Sequence, residues 1–321
     1  MSVSPETVLG TEPGPAGDSS GRPRLRHRVE HALLRLAQGA ARWRPSGSCA
    51  SLGRRIARIY LVFGRSRRRI LLANLATAFP EESPRKIGRI ARDCAENFGE
   101  MLMDLLASSE LSREKVLARV TVVGEEHLRA ARDRGRGVFL LSAHLGSWEI
   151  GALRAGLLGE PIASVVRPLD NLLLEQELFR RRTRFGNRLI QKRDAAREIL
   201  HAMRANQTVA ILVDQNVQAE EAVFVPFFGR LAATTPSLAL LQLKTDAAVV
   251  PVFTWPLGGG RYRLEFERPI LSDDFGAPDA DRGERVRRAT ALYMAITENA
   301  IRRNPAAWLW MHNRWRTRPP E

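Results

Sequence analysis

Residues 137–151 read GVFLLSAHLGSWEIG, and the fold is decided there. Residues 138–141 are an uncharged apolar run that stops at Ser142-Ala143-His144. Gly146 and Ser147 follow, and then Trp148, Ile150, Leu153 and Leu157 recur at helical spacing. The pattern predicts a buried strand, a tight turn bearing His144, and a helix with Glu149 in its first turn. Open α/β sheets place their chemistry at such strand ends. His144 and Glu149 form an H-x4-E pair. On one straight helix, five residues would splay the two side chains by about 140°, so they can meet only across a turn. A core histidine hydrogen-bonded to backbone is the other reading of this stretch taken alone.

The chain has 321 residues, enough for one large α/β domain with a helical extension or for two domains. A hydrophobic fraction of 44% sustains a sizeable core and excludes global disorder. The two cysteines, Cys49 and Cys94, have no metal-ligand neighbours and no CxxC spacing, so neither zinc nor a disulfide framework is expected. No secretory leader is predicted. No run of about 18 apolar residues occurs, so no conventional transmembrane helix is predicted either.

The net charge is +15, and its location says more than its size. Residues 22–70 hold fourteen arginines and a single acid, Glu30. Such a stretch seeks polyanions, either nucleic acid or anionic lipid headgroups. Residues 1–28 are read as a disordered tail, because Ser, Pro, Gly, Thr and Glu dominate its first part. Val29, Ala32, Leu33, Leu36, Ala37 and Ala40 then fall on one helical side among arginines, up to a break at Pro45-Ser46-Gly47. A second amphipathic run carries Leu52, Ile56, Ile59, Tyr60 and Phe63. Apolar faces set among arginines suit helices lying in a membrane interface, and residues 29–108 are expected to form such a region.

Residues 109–321 are expected to form an α/β domain with a mixed central sheet flanked by helices. Residues 162–166 and 208–213 read as further buried strands, the second ending at Asp214-Gln215-Asn216. Two strands ending in His144 and Asp214 imply a shared site at one sheet edge. Residues 249–255 and 262–266 are expected to pair across Gly258-Gly259-Gly260. That glycine run is not a phosphate loop, since no GK[ST] follows. The C-terminal stretch WLWMHNRW, residues 308–315, sets three tryptophans beside His312 and Arg314.

Several segments together carry a family resemblance: RRILLANLATAFPEES, SAHLGSWEIG, VVRPLDN, ILVDQN, VPFFGRLAATTPSLALL, VVPVF and NPAAWLWMHNRWRTRP. The chain resembles the bacterial lipid A biosynthesis acyltransferases, the late Kdo-dependent lauroyl and myristoyl transferases, and their relatives that acylate phosphatidylinositol mannosides. SAHLGSWE alone is moderately specific, because all H-x4-[DE] glycerolipid acyltransferases share its outline. The combination is much more specific. The resemblance implies a glycerolipid-acyltransferase-like fold and an O-acyltransferase on the cytoplasmic face of the inner membrane. It implies no cofactor. Acyl carrier protein or coenzyme A delivers the acyl group, anionic membrane lipids surround the enzyme, and a glycolipid accepts the chain. The chain departs from the family pattern at its N-terminus, where arginines and Pro45 interrupt the anchor; peripheral or monotopic attachment is therefore expected.

Moving an acyl group from a thioester to a hydroxyl needs a base for the hydroxyl and a stabiliser for the oxyanion. A neutral imidazole supplies the first, so His144 is the candidate base. A carboxylate must hold its ring, and Glu149 and Asp214 are the two candidates; the match to the family motif favours Glu149. Backbone N–H groups at Gly146 and Ser147 are candidates for the oxyanion. Arg167 is a candidate phosphate ligand. Gln215, Phe227, Phe228 and Arg314 complete the candidate substrate contacts; the phenylalanines either wall an acyl groove or simply fill the core. No serine elbow or reactive-cysteine motif is visible, which favours direct transfer. A thioesterase is a second enzyme reading. A basic nucleic-acid-binding protein is the non-enzyme one, although no recognised nucleic-acid module accompanies the charge.

Overall fold

The structure is a computed structural model and describes residues 25–42, 46–107, 111–159, 161–191, 195–277 and 279–320. Four helices come first: α1 (Leu25–Arg42), α2 (Ser46–Phe63), α3 (Arg65–Ala78) and α4 (Pro84–Ala107). Helices and strands then alternate as α5 (Arg113–Arg119), β1 (Val120–Val123), α6 (Glu125–Arg132), β2 (Val138–Ser142), α7 (Trp148–Ala155), β3 (Ile162–Val166), α8 (Leu172–Arg182), β4 (Arg188–Gln191), α9 (Ala195–Arg204) and β5 (Thr208–Leu212). The chain ends with β6 (Val223–Phe227), β7 (Arg230–Thr234), α10 (Ser237–Thr245), β8 (Ala248–Gly258), β9 (Arg261–Phe266) and α11 (Arg282–Arg303). The tail expected over residues 1–28 lies, up to residue 24, outside the described residues; its last four residues belong to α1.

Seven strands form one mixed sheet in the order β1-β9-β8-β2-β5-β3-β4. The β8–β9 pair is antiparallel and every other neighbouring pair is parallel. β2 is central, and its uncharged sequence follows from burial on both faces. Val138 and Leu140 join one core layer with Val116 of α5, Leu128 of α6 and Ile150 of α7. Phe139 and Leu141 join the other with Ile199 of α9, Leu238 of α10 and Tyr293 of α11. The chain leaves β2 through α7 on one face and returns from β5 to β8 through α10 on the other. β2 and β5 are neighbours, so their C-terminal ends flank a crevice where the connections part, the position at which such sheets bind ligands.

The first helices dock on this frame. α3 and α4 contribute Leu71, Leu75, Ile87 and Cys94 to the α9–α11 core layer. α2 crosses α4 at Gly53 and Gly99, where an added Cβ on Gly53 would lie 2.3 Å from the Gly99 carbonyl oxygen. Arg54–Glu100 and Arg58–Glu96 pairs, each 2.6 Å, flank the crossing. α1 rests its polar side on the start of α8, where the Asn171 amide donates to the His27 carbonyl at 3.1 Å and to Glu30 at 2.8 Å.

The short elements β4 and α5 and the β6–β7 hairpin were not foreseen from sequence. β4 has only four residues, too few to show a period. The hairpin turns at Phe228-Gly229 with φ of 51° and 71°. Its geometry is that usually signalled by Asn-Gly, and a phenylalanine there conceals it.

Candidate active site

β2 delivers His144 to the crevice and β5 delivers Asp214 to the opposite lip. The His144 Nδ1 lies 2.9 Å from Asp214 Oδ1, and the His144 backbone N–H donates to Asp214 Oδ2 at 2.9 Å. The Trp308 indole N–H donates to Oδ2 as well, at 2.8 Å. Asp214 is buried. Burial alone would raise its pKa, but the His144 ring and these hydrogen bonds hold it down at about 2. A carboxylate only accepts, so Nδ1 of His144 carries the proton and Nε2 presents its lone pair to the cleft. There the Gln215 side-chain amide donates to Nε2 at 3.2 Å. Burial lowers the His144 pKa, but the charge and hydrogen bond of Asp214, with a smaller contribution from Glu149, leave it above the ordinary histidine value.

The turn that aims His144 is fastened on both sides. The Gly146 N–H donates to the Ala307 carbonyl at 2.8 Å, and the Leu309 N–H donates to the His144 carbonyl at 3.1 Å. Gly146 has φ +59°, and a Cβ there would lie 1.8 Å from the Thr254 carbonyl oxygen on β8. Only glycine fits this position. The C-terminal segment also grips the Asp214 loop: the Asn216 N–H donates to His312 Nε2 at 2.9 Å, and Asn216 exchanges hydrogen bonds with Thr317. His312 must be neutral to accept, and its burial lowers its pKa accordingly.

A cleft of about 1070 Å³ opens from this point, lined by His144, Glu149, Arg167, Arg182 and Gln215 together with many apolar side chains. A smaller cavity of about 170 Å³ lies behind the turn, against α4, and Gly146 and Ser147 form part of its wall.

A family model described as bacterial lipid A biosynthesis acyltransferase matches residues 31–317. The chain belongs to this family. It is 28% identical over 271 residues to the lipid A biosynthesis lauroyltransferase of Escherichia coli K12, covering 84% of this chain and 85% of the relative. The palmitoleoyltransferase of the same organism is 29% identical over 273 residues, with 84% and 85% covered. Among solved structures, the 1-acyl-sn-glycerophosphate acyltransferase PlsC of Thermotoga maritima aligns over 88% of this chain and 99% of its own, at 15% identity and a TM-score of 0.38.

In this acyltransferase the candidate residues divide. His144, Asp214 and Gln215 meet at one point. Glu149 does not reach the ring; it pairs with Arg182, whose Nε and Nη2 lie 3.0 and 2.5 Å from its carboxylate. α7 starts beyond the turn and directs Glu149 toward α8, so of the two carboxylates Asp214 holds the imidazole. The Gly146 N–H is consumed by Ala307 and is not offered to an oxyanion. Ser147 is buried at the start of α7. Arg167 stands on the cleft wall.

Phe227 and Phe228 do not line the cleft. They are buried among Phe79, Trp308, Trp310 and Trp315, with ring centroids 5.3–5.7 Å apart, because the end of β6 and the turn after it face the core. Arg314 is fully buried and donates to the Ala233 carbonyl at 2.6 Å and the Thr234 hydroxyl at 2.5 Å, so it reaches no phosphate.

Arg182, Trp308 and His312 emerge as site residues in roles the sequence did not assign. Arg182 sits in a run with Arg180, Arg181 and Arg184, and helical spacing could not choose among them. Arg181 of the same run holds Glu177 and the Leu105 carbonyl. The Cys94 thiol is buried and pushed up to about 12, which makes it inert as a nucleophile.

Proposed function

We propose that the protein transfers a fatty acyl group from a thioester of acyl carrier protein or coenzyme A to a hydroxyl of a lipid A precursor, with His144 as general base and no covalent enzyme intermediate. One observation carries this reading: an imidazole whose Nδ1 is held by a buried carboxylate turns its Nε2, beside the Gln215 amide, into a large, mostly apolar cleft. The acceptor hydroxyl gives its proton to Nε2 as its oxygen attacks the thioester carbonyl. Asp214 stabilises the imidazolium that forms. The oxyanion collapses, the C–S bond breaks, and the imidazolium returns the proton to the leaving sulfur. Gln215, already beside Nε2, is the donor positioned to meet the oxyanion in place of the Gly146 N–H. Arg167, on the cleft wall, binds a phosphate of donor or acceptor.

Attachment is peripheral, on the cytoplasmic face of the inner membrane. Among the described residues no helix is long and apolar enough to cross a membrane. The test is transfer by purified protein in detergent, using labelled lauroyl and myristoyl thioesters and a Kdo-bearing lipid A precursor. Label should enter the glycolipid with the native chain and not with His144→Ala. Full activity of His144→Ala would overturn the mechanism. Label appearing only as free fatty acid, or only in glycerophosphates, would overturn the acceptor.

A further inference from the structure

The cleft at His144 is at or above the roughly 300–1,000 Å³ of a pocket for one ligand of moderate size, and its walls belong to both faces of the sheet. The reason lies in the strand pairing. β3 and β5 are paired at Ile162–Thr208, Ala163–Val209 and Ser164–Ala210, and the ladder stops there. Both strands continue, β3 on β4 as far as Val166 and β5 on β2 as far as Leu212. The two strands thus part at their C-terminal ends and leave a slot through the sheet. Val165 and Val166 line the cleft from one edge of the slot, Ile211 and Leu212 from the other.

Two apolar arms meet at this slot. The first runs under α7, where Leu140, Ala155, Ile162 and Leu264 line the cleft and belong to the α5–α7 core layer. All four are buried and close its inner end, while the half-buried Ala152 and Leu153 line it from α7. The second runs between α9 and α10 on the opposite face, past Ile199, Leu240 and Leu241. It reaches the surface at Lys244 and Arg282, both exposed and both on the cleft wall. His144 follows β2, one strand away from the slot.

We propose that this cavity binds two acyl chains at once, one on each face of the sheet. The chain being transferred occupies the closed arm under α7, and an acyl chain of the lipid acceptor occupies the open arm between α9 and α10. The assignment of arms follows from what each ligand must leave in water. A thioester needs only its carbonyl at His144, so its methyl end can enter a dead end. An anionic amphiphile must keep its headgroup hydrated, and the open arm leads to two cations suited to that headgroup. The inference rests on the acyl-transfer reading above for the identity of the chains, but chain binding can be measured without turnover.

The experiment titrates the native protein with lauric acid and counts bound equivalents by native mass spectrometry, beside Ala152→Phe in α7 and Leu200→Trp in α9. Both residues line the cleft and are half-buried. The native chain should bind two equivalents and each variant one. In transfer assays, Ala152→Phe should shift donor preference to shorter chains. Leu200→Trp should leave the donor profile unchanged and raise the acceptor KM about tenfold. If a variant melts early, Ala152→Leu and Ala196→Leu replace the larger changes. One equivalent in the native chain overturns the proposal, as does an identical donor shift in both variants, which would mean one chain threads the slot. Two equivalents without any acyl transfer would instead overturn the proposed reaction and leave the two sites standing.

Discussion

At the scale of single residues, the choice between Asp214 and Glu149 makes the sharpest prediction. As the proposed base His144 must be neutral, and its pKa lies above the ordinary value of 6.5 with Asp214 ionised beside it. The acid limb of kcat/KM, which reports the free enzyme, should therefore lie above that of an unperturbed histidine. Asp214→Asn removes the charge and leaves burial, which lowers the pKa, so the limb should move to lower pH. The new amide would also donate to Nδ1 and put the proton on Nε2, costing on the order of 10⁴-fold in rate. Glu149→Gln keeps a partner for Arg182 and touches no atom of the ring. Its limb should move slightly in the same direction, with a rate loss of about tenfold or less. Equal pH shifts in the two variants would sink the assignment. His144 and Asp214 were legible because each follows an uncharged strand. Which carboxylate holds the ring was not, because that depends on the left-handed turn at Gly146 and the direction in which it launches α7.

At the scale of elements, the β6–β7 hairpin and the C-terminal segment hold the site from behind. Arg314 joins them, with its guanidinium on the Ala233 carbonyl and Thr234 hydroxyl and its charge over the Phe227 ring at 5.3 Å. Burial draws its pKa down to about 10. A planar fork reaches both acceptors at once; a lysine ammonium is a point donor on a different stem. Arg314→Lys should leave one buried acceptor unmet and cost about 1–3 kcal/mol of unfolding free energy, read from the urea midpoint at unchanged slope. A stability equal to the native chain would show that the hairpin does not depend on the fork. The alternation of strand and helix was legible from residues 138–141, 162–166 and 208–213, whose apolar runs can only be central strands once helices flank them. The core placement of Phe227, Phe228 and Arg314 was not legible. An apolar stretch reads the same in a core and in a groove, and an arginine buried on carbonyl and hydroxyl acceptors leaves no mark in composition.

At the scale of the whole molecule, the arrangement of α1 reverses that of a helix on a soluble domain. Its polar side packs inward, with Gln38 and His27 buried. Leu25, Val29, Leu33 and Leu36 are 50–78% exposed and stand one helical turn apart. α2 presents Ile56, Ile59, Tyr60 and Phe63 in the same manner. The periodic stripe was visible in the sequence; the side it faces could be learned only from the docking of α1 on α8. Outward apolar stripes among arginines fit the interface of an anionic bilayer, each arginine near the surface contributing about 1 kcal/mol and the apolar side chains adding their burial. This orientation predicts that the protein co-sediments with vesicles containing phosphatidylglycerol and much less with purely zwitterionic ones. Leu33→Ser with Leu36→Ser should weaken binding at every salt concentration, because it removes apolar burial. Arg28→Gln with Arg35→Gln should weaken it at low salt and matter less at high salt, where the charges are already screened. Both pairs change exposed positions, so folding should be unaffected. Equal vesicle binding by all variants would remove the stripes from the attachment mechanism. Binding that follows the arginines alone, and extends to duplex DNA with a steep salt slope, would mark the surface as a general polyanion site rather than a membrane face.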